Sequence, residues 1–240
     1  MWSFSTGLPS LISHVMDCVY PAVCPVCGDR SDLFVLSPVC SSCWSQISRY
    51  QGPSCRKCGL PFVSDHARLC GGCLKTDPLF TQVIAYGLYD GVLKEAISQF
   101  KFHGLRRLWR PLGSLLSVLE IPRYDVIVAV PLTARGLRQR GFNQSLLIAR
   151  SISGEKGIPI HLDALFKIKE TPPQVGLSAG VRRSNLKGAF TAKGDLKGAS
   201  VLLVDDVVTT GATVGECSKA LLKAGAKEVS VLAIARAGLI

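Results

Sequence analysis

The stretch VLLVDDVVTTGAT, residues 201–213, constrains the fold of this chain more than any other segment. Its first four residues are apolar and predict a buried strand, and Asp205 and Asp206 stand at the C-terminal end of that strand. A short polar loop then opens a helix. Ligands of open parallel sheets bind beyond the carboxyl ends of the strands. The stretch therefore predicts an α/β protein with a ligand site at this point.

The chemistry of the loop fits a sugar phosphate. The loop consists of Thr209, Thr210, Gly211, Ala212 and Thr213. Free N–H groups at a helix N-terminus bind phosphate, the threonine hydroxyls add donors, and Gly211 lets the backbone approach the ligand closely. Asp205 and Asp206 would accept hydrogen bonds from ribose hydroxyls, directly or through Mg²⁺, which prefers oxygen ligands.

A second polar segment, residues 131–144, follows a predicted strand that ends at Val130. It is expected to form a turn at the same end of the sheet as the acid pair, because both segments follow strand C-termini. Arg135, Arg138 and Arg140 in this turn are suited to neutralise a pyrophosphate by bidentate contacts. The alternative is a solvated basic loop with no ligand.

Beyond residue 80 the pattern alternates between strands and helices, which predicts a mostly parallel sheet. Strands are expected at residues 81–89, 125–130, 158–160, 201–204 and 228–236, and helices at 92–102, 105–119, 143–153 and 213–224. The helix at 143–153 is expected to close near Gly154. Residues 167–188 are polar, basic and rich in proline and glycine, which predicts a long functional loop.

Nine of the ten cysteines lie before residue 75, and eight of them form four C-x-x-C pairs. Each pair supplies half of a tetrahedral zinc shell, and two pairs joined by a short hairpin complete a four-cysteine site. The simplest assignment is two successive zinc ribbons. Their ligands would be Cys24, Cys27, Cys40 and Cys43 in the first, and Cys55, Cys58, Cys70 and Cys73 in the second.

Other uses of these cysteines stay open at this point. A cross-braced arrangement would pair the first knuckle with the third and the second with the fourth. An iron–sulfur cluster is a further alternative. A disulfide framework is disfavoured because the N-terminus has no basic region typical of a secretory signal peptide.

The composition changes divide the chain into three parts: an N-terminal helix at residues 1–22, a double zinc ribbon at 23–77 and an α/β domain at 78–240. No apolar run reaches 18 residues, so no membrane span is expected. The cytoplasm is the default location.

The net charge of +11 is uneven. Residues 1–80 hold 6 Lys or Arg against 5 Asp or Glu, whereas residues 81–240 hold 22 against 12. The positive field thus belongs to the part with the predicted phosphate loop. It suits either a small, highly anionic substrate or nucleic acid, and composition does not separate the two.

VLLVDDVVTTGAT resembles the ligand-binding motif of type I phosphoribosyltransferases, which bind phosphoribosyl pyrophosphate (PRPP). The resemblance implies that Asp205 and Asp206 face the ribose 2′- and 3′-hydroxyls and that residues 209–213 hold the 5′-phosphate. It also implies a type I phosphoribosyltransferase-like, mostly parallel sheet, here behind an N-terminal double zinc-ribbon domain.

Further blocks narrow the likeness to the ComF (ComFC) family. These blocks are V-P-L-x-x-x-R-x-x-x-R-G-F-N-Q at residues 130–144, T-P-P-Q-x-x-L-x-x-x-x-R-x-x-N at 171–185, and K-F-H-G at 101–104. Before T-P-P-Q, where the family usually has arginines, this chain has Lys167, Lys169 and Glu170.

Membership of that family implies a protein for natural transformation and DNA uptake, with single-stranded DNA and a helicase-like ATPase of the ComF operon as partners. Arg135 and Arg140 would face the pyrophosphate, and Asp205, Asp206 and Arg135 would carry any catalysis, with Arg182 or Arg183 assisting. Whether transfer is catalysed, and to which acceptor, is left open. The alternative is an active phosphoribosyltransferase of nucleotide or amine metabolism with no DNA role.

Overall fold

The computed structural model describes residues 22–63, 68–170 and 184–238. The helix predicted for residues 1–22 lies outside the described residues except for its last position. Residues 171–183 also lie outside them, and with them most of the predicted long loop, Arg182 and Arg183.

A four-stranded parallel sheet forms the centre of the α/β part. Its strands are β1 (Val83–Leu88), β2 (Val126–Ala129), β5 (Ser200–Val208) and β6 (Glu228–Arg236), in the spatial order β1-β6-β5-β2. The two inner strands, β5 and β6, are buried along nearly their whole length, as expected for apolar strands covered on both faces. The predicted α/β class with a mostly parallel sheet is confirmed.

A small antiparallel pair lies apart from this sheet. It consists of β3 (Leu165–Lys167) and β4 (Phe190–Ala192). The helices include α1 (Ser41–Trp44), α2 (Gly71–Thr76), α3 (Gly91–Phe102), α4 (Trp109–Ser117), α5 (Ala134–Arg140), α6 (Gln144–Lys156) and α7 (Ala212–Lys223), and a short 3-10 helix at Arg106–Leu108 precedes α4.

The core is divided into two apolar clusters. One combines α3, α4 and α6 with sheet residues such as Leu202 and Val204. The other combines α7 and the β3–β4 pair with residues such as Leu203 and Val231. The sheet therefore has a helix-rich layer on one side and a mixed layer on the other.

The two cysteine-rich segments join different clusters. Cys24, Cys40 and Cys43 are buried with α3, α4 and α6, whereas Cys55, Cys58, Leu60 and Cys73 are buried with α7 and β3–β4. Each segment thus adds to a core that it shares with the sheet. The division of the chain at residues 22 and 77 stays a prediction.

Several predicted boundaries were wrong. Strand β5 continues to Val208 instead of ending at Val204, because β6 beside it is long enough to keep pairing as far as Arg236. Helix α6 ends at Lys156 with Gly157 in the left-handed conformation, rather than near Gly154. Residues 158–160 make a single bridge, between Ile160 and Ile127, instead of a strand.

The predicted polar turn at residues 131–144 is also different. Its central part, Ala134–Arg140, is helix α5, which begins because the Thr133 hydroxyl accepts a hydrogen bond from Gly136 N at 3.0 Å. No helix within residues 22–63, 68–170 and 184–238 is long and apolar enough to cross a bilayer.

Candidate functional site

Asp205 and Asp206 lie on β5 just beyond the point where the neighbouring strand β2 ends, while the other neighbour, β6, continues beside them. The last paired residue of β2 is Ala129, opposite Val204, whereas β6 still pairs with Asp205 through Ala233. Beyond Val204, β5 therefore keeps a strand on one side and faces the connection that follows β2 on the other. This is the edge of the sheet at which open α/β proteins bind ligands.

The side chains of the acid pair are buried and hydrogen-bonded. Asp205 is 8% exposed, and its Oδ1 accepts hydrogen bonds from Ser145 Oγ at 3.0 Å and from Asp206 N at 2.9 Å. Asp206 is 4% exposed, and its Oδ1 accepts from Lys101 Nζ at 2.9 Å and from Val207 N at 2.7 Å. Lys101 comes from the end of α3 and Ser145 from the start of α6, so three distant segments meet here.

Burial dominates the ionisation of this pair. Desolvation and then the neighbouring Asp206 charge raise the pKa of Asp205 to about 7, although Lys101 and the two hydrogen bonds oppose the shift. For Lys101, burial would lower the pKa, but the charges of Asp206 and Asp205 outweigh it, and the pKa is raised. The free site thus holds a lysine cation against two carboxyl groups, one of which titrates near neutral pH.

The R-G-F-N-Q block builds the wall of this site. Gly141 ends α5 with a φ of 75°, a conformation that favours glycine, and Phe142 packs on Phe100 with ring centroids 5.3 Å apart. Asn143 caps α6, because its side-chain oxygen accepts from Leu146 N at 3.3 Å while its Nδ2 donates to Val130 O at 3.0 Å. This double contact fixes the start of α6, from which Ser145 reaches Asp205.

The predicted arginines are not equivalent. Arg140 is half-buried, donates to Gln144 Oε1 at 3.3 Å and lies over the Phe102 ring at 5.6 Å, and its charge opposes the protonation of Lys101. Arg135 and Arg138 are exposed on α5. The structure therefore brings Arg140 close enough to Lys101 for their charges to interact, while Arg135 stays a predicted ligand on the exposed surface.

Residues 209–213 connect β5 to α7. Thr209 and Thr210 are exposed, and the last two residues of the segment, Ala212 and Thr213, already belong to the first turn of α7. Gly211 precedes that helix with a φ of 79°, so any other residue would be strained there. The loop presents hydroxyls and the N-terminus of a 12-residue helix beside the acid pair.

Sequence reasoning missed three residues of the site: Lys101, Ser145 and Arg236. Lys101 lies in the K-F-H-G block, which was noted only as a resemblance, and Ser145 directly follows R-G-F-N-Q. Arg236 is the last residue of β6 and is 5% exposed. A buried arginine at the carboxyl end of an apolar strand was the signal that could have found it.

The cysteines form the two predicted groups. The Sγ atoms of Cys24, Cys27, Cys40 and Cys43 lie within 4.8 Å of one another, and so do those of Cys55, Cys58, Cys70 and Cys73. This grouping agrees with two successive ribbons and differs from the cross-braced arrangement.

The spacing of the sulfur atoms fits zinc. A tetrahedral site with Zn–S bonds of about 2.3 Å requires sulfur atoms about 3.8 Å apart. The distance is 3.7 Å between Cys27 Sγ and Cys40 Sγ, and 3.6 Å between Cys58 Sγ and Cys70 Sγ, far longer than a disulfide bond. Burial disfavours the Cys55 thiolate, but N–H groups of Cys58, Cys70 and Lys57 outweigh it and lower its pKa to about 7.

Fold and site together define a phosphoribosyltransferase-like protein with two structural zinc sites. Comparison with known families agrees. A double zinc ribbon domain matches residues 15–74, and a phosphoribosyl transferase domain matches residues 139–238.

Curated relatives cover most of the chain. Competence protein F of Haemophilus influenzae is 36% identical over 83% of this chain and 90% of its own length. DNA utilization protein YhgH of Escherichia coli K12 is 35% identical over 82% and 90%, and competence protein ComFC of Bacillus subtilis is 28% identical over 86% and 91%. The chain belongs to the ComF (ComFC) family of competence and DNA utilization proteins.

Among solved structures, the glutamine PRPP amidotransferase of B. subtilis is 26% identical over 52% of this chain and 25% of that chain, with a TM-score of 0.38. This partial overlap adds nothing to the family assignment.

Proposed function

We propose that this protein binds PRPP together with Mg²⁺ and uses the complex in the cytoplasmic handling of DNA that enters the cell during natural transformation. The observation that carries the PRPP part is the buried acid pair of Asp205 and Asp206 beside the exposed loop at residues 209–213. A ribose phosphate is the ligand whose hydroxyls and phosphate match both features at once.

Each part of the ligand has a proposed partner. Asp205 and Asp206 accept from the ribose hydroxyls, directly or through Mg²⁺, and the loop of Thr209, Thr210, Gly211, Ala212 and Thr213 holds the 5′-phosphate. Arg140, and Arg135 from the exposed side of α5, face the pyrophosphate. In the free protein the Lys101 ammonium group lies against the acid pair. The Mg²⁺ that arrives with PRPP would take over this neutralising role.

The DNA part rests on the names of the relatives and on charge. Competence and DNA utilization proteins align with 82–86% of this chain, at 28–36% identity. Phe34 in the first ribbon is 64% exposed, and the Arg107 guanidinium lies 5.0 Å from its ring centroid. An exposed aromatic ring beside an arginine suits stacking with a base of single-stranded DNA. A helicase-like ATPase is the proposed protein partner.

The ligand is tested with Asp206→Ala. This change removes the acceptor that pairs with Lys101, so PRPP binding in the presence of Mg²⁺ should be lost in titration calorimetry. Asp163→Ala, which replaces an exposed aspartate elsewhere, is the matched control and should bind as the wild type does. Unchanged affinity of the Asp206→Ala protein would refute the site assignment.

A second candidate function is phosphoribosyl transfer in nucleotide or amine metabolism without a DNA role. Asp205 favours this function. A carboxyl group with a pKa of about 7 can act as a general base near neutral pH and take a proton from the base or amine that receives the phosphoribosyl group. Asp205, Asp206 and Arg135 would stabilise the cationic sugar and the departing pyrophosphate. Pyrophosphate release that depends on an added base or amine, and that Asp206→Ala abolishes, would favour this function.

A further inference from the structure

Arg236 connects the second cysteine cluster to the phosphate loop. Its Nε donates to the carbonyl oxygen of Cys58 at 2.7 Å, and its Nη2 lies 3.9 Å from Cys58 Sγ. Its Nη1 donates to the carbonyl oxygens of Val208, at 3.2 Å, and of Thr209. One side chain therefore holds a metal-ligand residue and the first residue of the loop.

The burial of Arg236 makes these contacts rigid. A buried guanidinium is tolerated only when its donors are used, and Arg236 is 5% exposed. A metal-bound Cys58 would be a thiolate, whose negative charge strengthens the contact with the guanidinium. The position of the Cys58 knuckle and that of the loop carbonyls are therefore linked through one side chain.

The knuckle itself is anchored to the sheet. Val83 N of β1 donates to Lys57 O at 2.8 Å, and a side chain at Gly59 would place its Cβ 3.1 Å from Val83 O. The knuckle of Cys55 and Cys58 thus lies directly against the backbone of the sheet. A change in the shape of the knuckle would therefore move Cys58 relative to Arg236, because no flexible linker separates the knuckle from the sheet.

We propose that Arg236 is a positioning residue through which zinc in the second cluster sets the conformation of the loop at residues 209–213. The first cluster is buried with α3, α4 and α6 on the other side of the sheet, so we expect no such control from it. The consequence for PRPP rests on the proposed function, whereas the coupling of metal to loop does not.

The two clusters supply a matched pair of variants. Cys43 and Cys73 are the fourth cysteines of their ribbons, and each lies in a short helix. The N–H of Cys43 donates to Cys40 Sγ, and the N–H of Cys73 donates to Cys70 Sγ, both at 3.4 Å. We expect Cys73→Ser to speed amide hydrogen exchange in the peptide 209–213 about tenfold, and Cys43→Ser to leave it unchanged. Arg236→Lys keeps the charge but loses the fork of donors, and should speed exchange in the same peptide.

The double variant separates positioning from general damage. If Arg236 transmits the effect of the metal, Arg236→Lys combined with Cys73→Ser should exchange no faster than the more affected single variant. Full additivity of the two effects, or an unchanged loop in Cys73→Ser, would overturn the inference. An equal effect of Cys43→Ser would also overturn it.

PRPP affinity gives a second readout on the same full-length proteins. We expect Cys73→Ser and Arg236→Lys to bind PRPP about tenfold more weakly, and Cys43→Ser to bind normally. Wild-type protein loaded with zinc that binds no PRPP would refute the proposed function. The hydrogen exchange result would still decide the coupling, so the two failures are distinguishable.

Discussion

The carboxyl group of Asp205 lies in surroundings that suit its neutral form. Its ordinary pKa of 3.8 rises to about 7 in the folded protein, mainly because the group is buried. The unfolded chain therefore loses this proton at a lower pH than the folded protein does. Between these two pKa values stability falls as pH rises, and above pH 7 the cost is fully present.

Asp205→Asn is expected to stabilise the free protein, and more at pH 8 than at pH 5. The amide keeps an acceptor for Ser145 and for the N–H of Asp206 but carries no charge to bury. Urea unfolding at both pH values measures the difference in the free energy of unfolding. The exposed Asp163→Asn should show no such gain, and an equal effect of Asp205→Asn at both pH values would contradict the raised pKa.

At this scale, the sequence predicted the residues that lie within one motif. Asp205, Asp206 and residues 209–213 are consecutive or nearly so, and a strand followed by a helix N-terminus places them together. Lys101 and Ser145 are 105 and 60 residues away from the carboxylates they contact. Only the packing of α3 and α6 on the sheet brings them to the site, and no local pattern encodes that packing.

Among the elements, the start of α6 depends on two hydrogen bonds of the Asn143 side chain. The side chain caps the helix and also holds the last carbonyl before the polar segment, that of Val130. Asn143→Ala should lower the free energy of unfolding by about 1–3 kcal/mol, from the lost cap and the lost second hydrogen bond. Urea denaturation measures this loss.

Asn143→Asp is the comparison that divides the loss between the two contacts. Aspartate keeps the cap acceptor but has no donor for Val130 O, so its stability should lie between those of the wild type and Asn143→Ala. A stability of Asn143→Asp equal to that of Asn143→Ala would show that the cap contributes nothing.

The wrong element boundaries were set by signals other than the spacing of apolar residues. Residues 134–140 carry three arginines and no apolar stripe, so α5 is set by the Thr133 cap and by Gly141 at its end rather than by periodicity. The length of β5 was set by its neighbour, since β6 pairs with it as far as Val208. A prediction based on the spacing of apolar residues detects neither helix caps nor the length of a neighbouring strand.

The whole molecule is strongly basic, with a net charge of +11. We expect it to bind single-stranded DNA with an affinity that falls steeply as salt rises, because bound cations are released from the phosphates. A gel shift with labelled oligonucleotide over a salt series measures the slope. No binding even at low salt would exclude direct contact with DNA and leave protein partners.

The same assay tests Phe34 as a base-stacking residue. Phe34→Ala should weaken binding about tenfold at every salt concentration with the slope unchanged, since stacking does not release counterions. Leu162, which is 60% exposed, supplies the control, and Leu162→Ala should bind as the wild type does.

For the molecule as a whole, cysteine spacing predicted the two four-cysteine groups correctly because neighbouring knuckles are close in sequence. It did not predict that Cys24 and Cys55 would be buried in different apolar clusters. That outcome depends on which face of the sheet each ribbon meets, and the two inner strands of that sheet, β5 and β6, come from the far end of the chain.

The position of β6 has a consequence for synthesis on the ribosome. This strand lies inside the sheet, between β1 and β5, yet it follows every other described strand in sequence. Val83 has its partner, Val231, only after nearly all intervening residues have been made, on the order of 10 s later at typical elongation rates. The ribbons can take up metal early, but the nascent chain must wait with an unpaired β1 edge, so chaperone protection matters most in that interval.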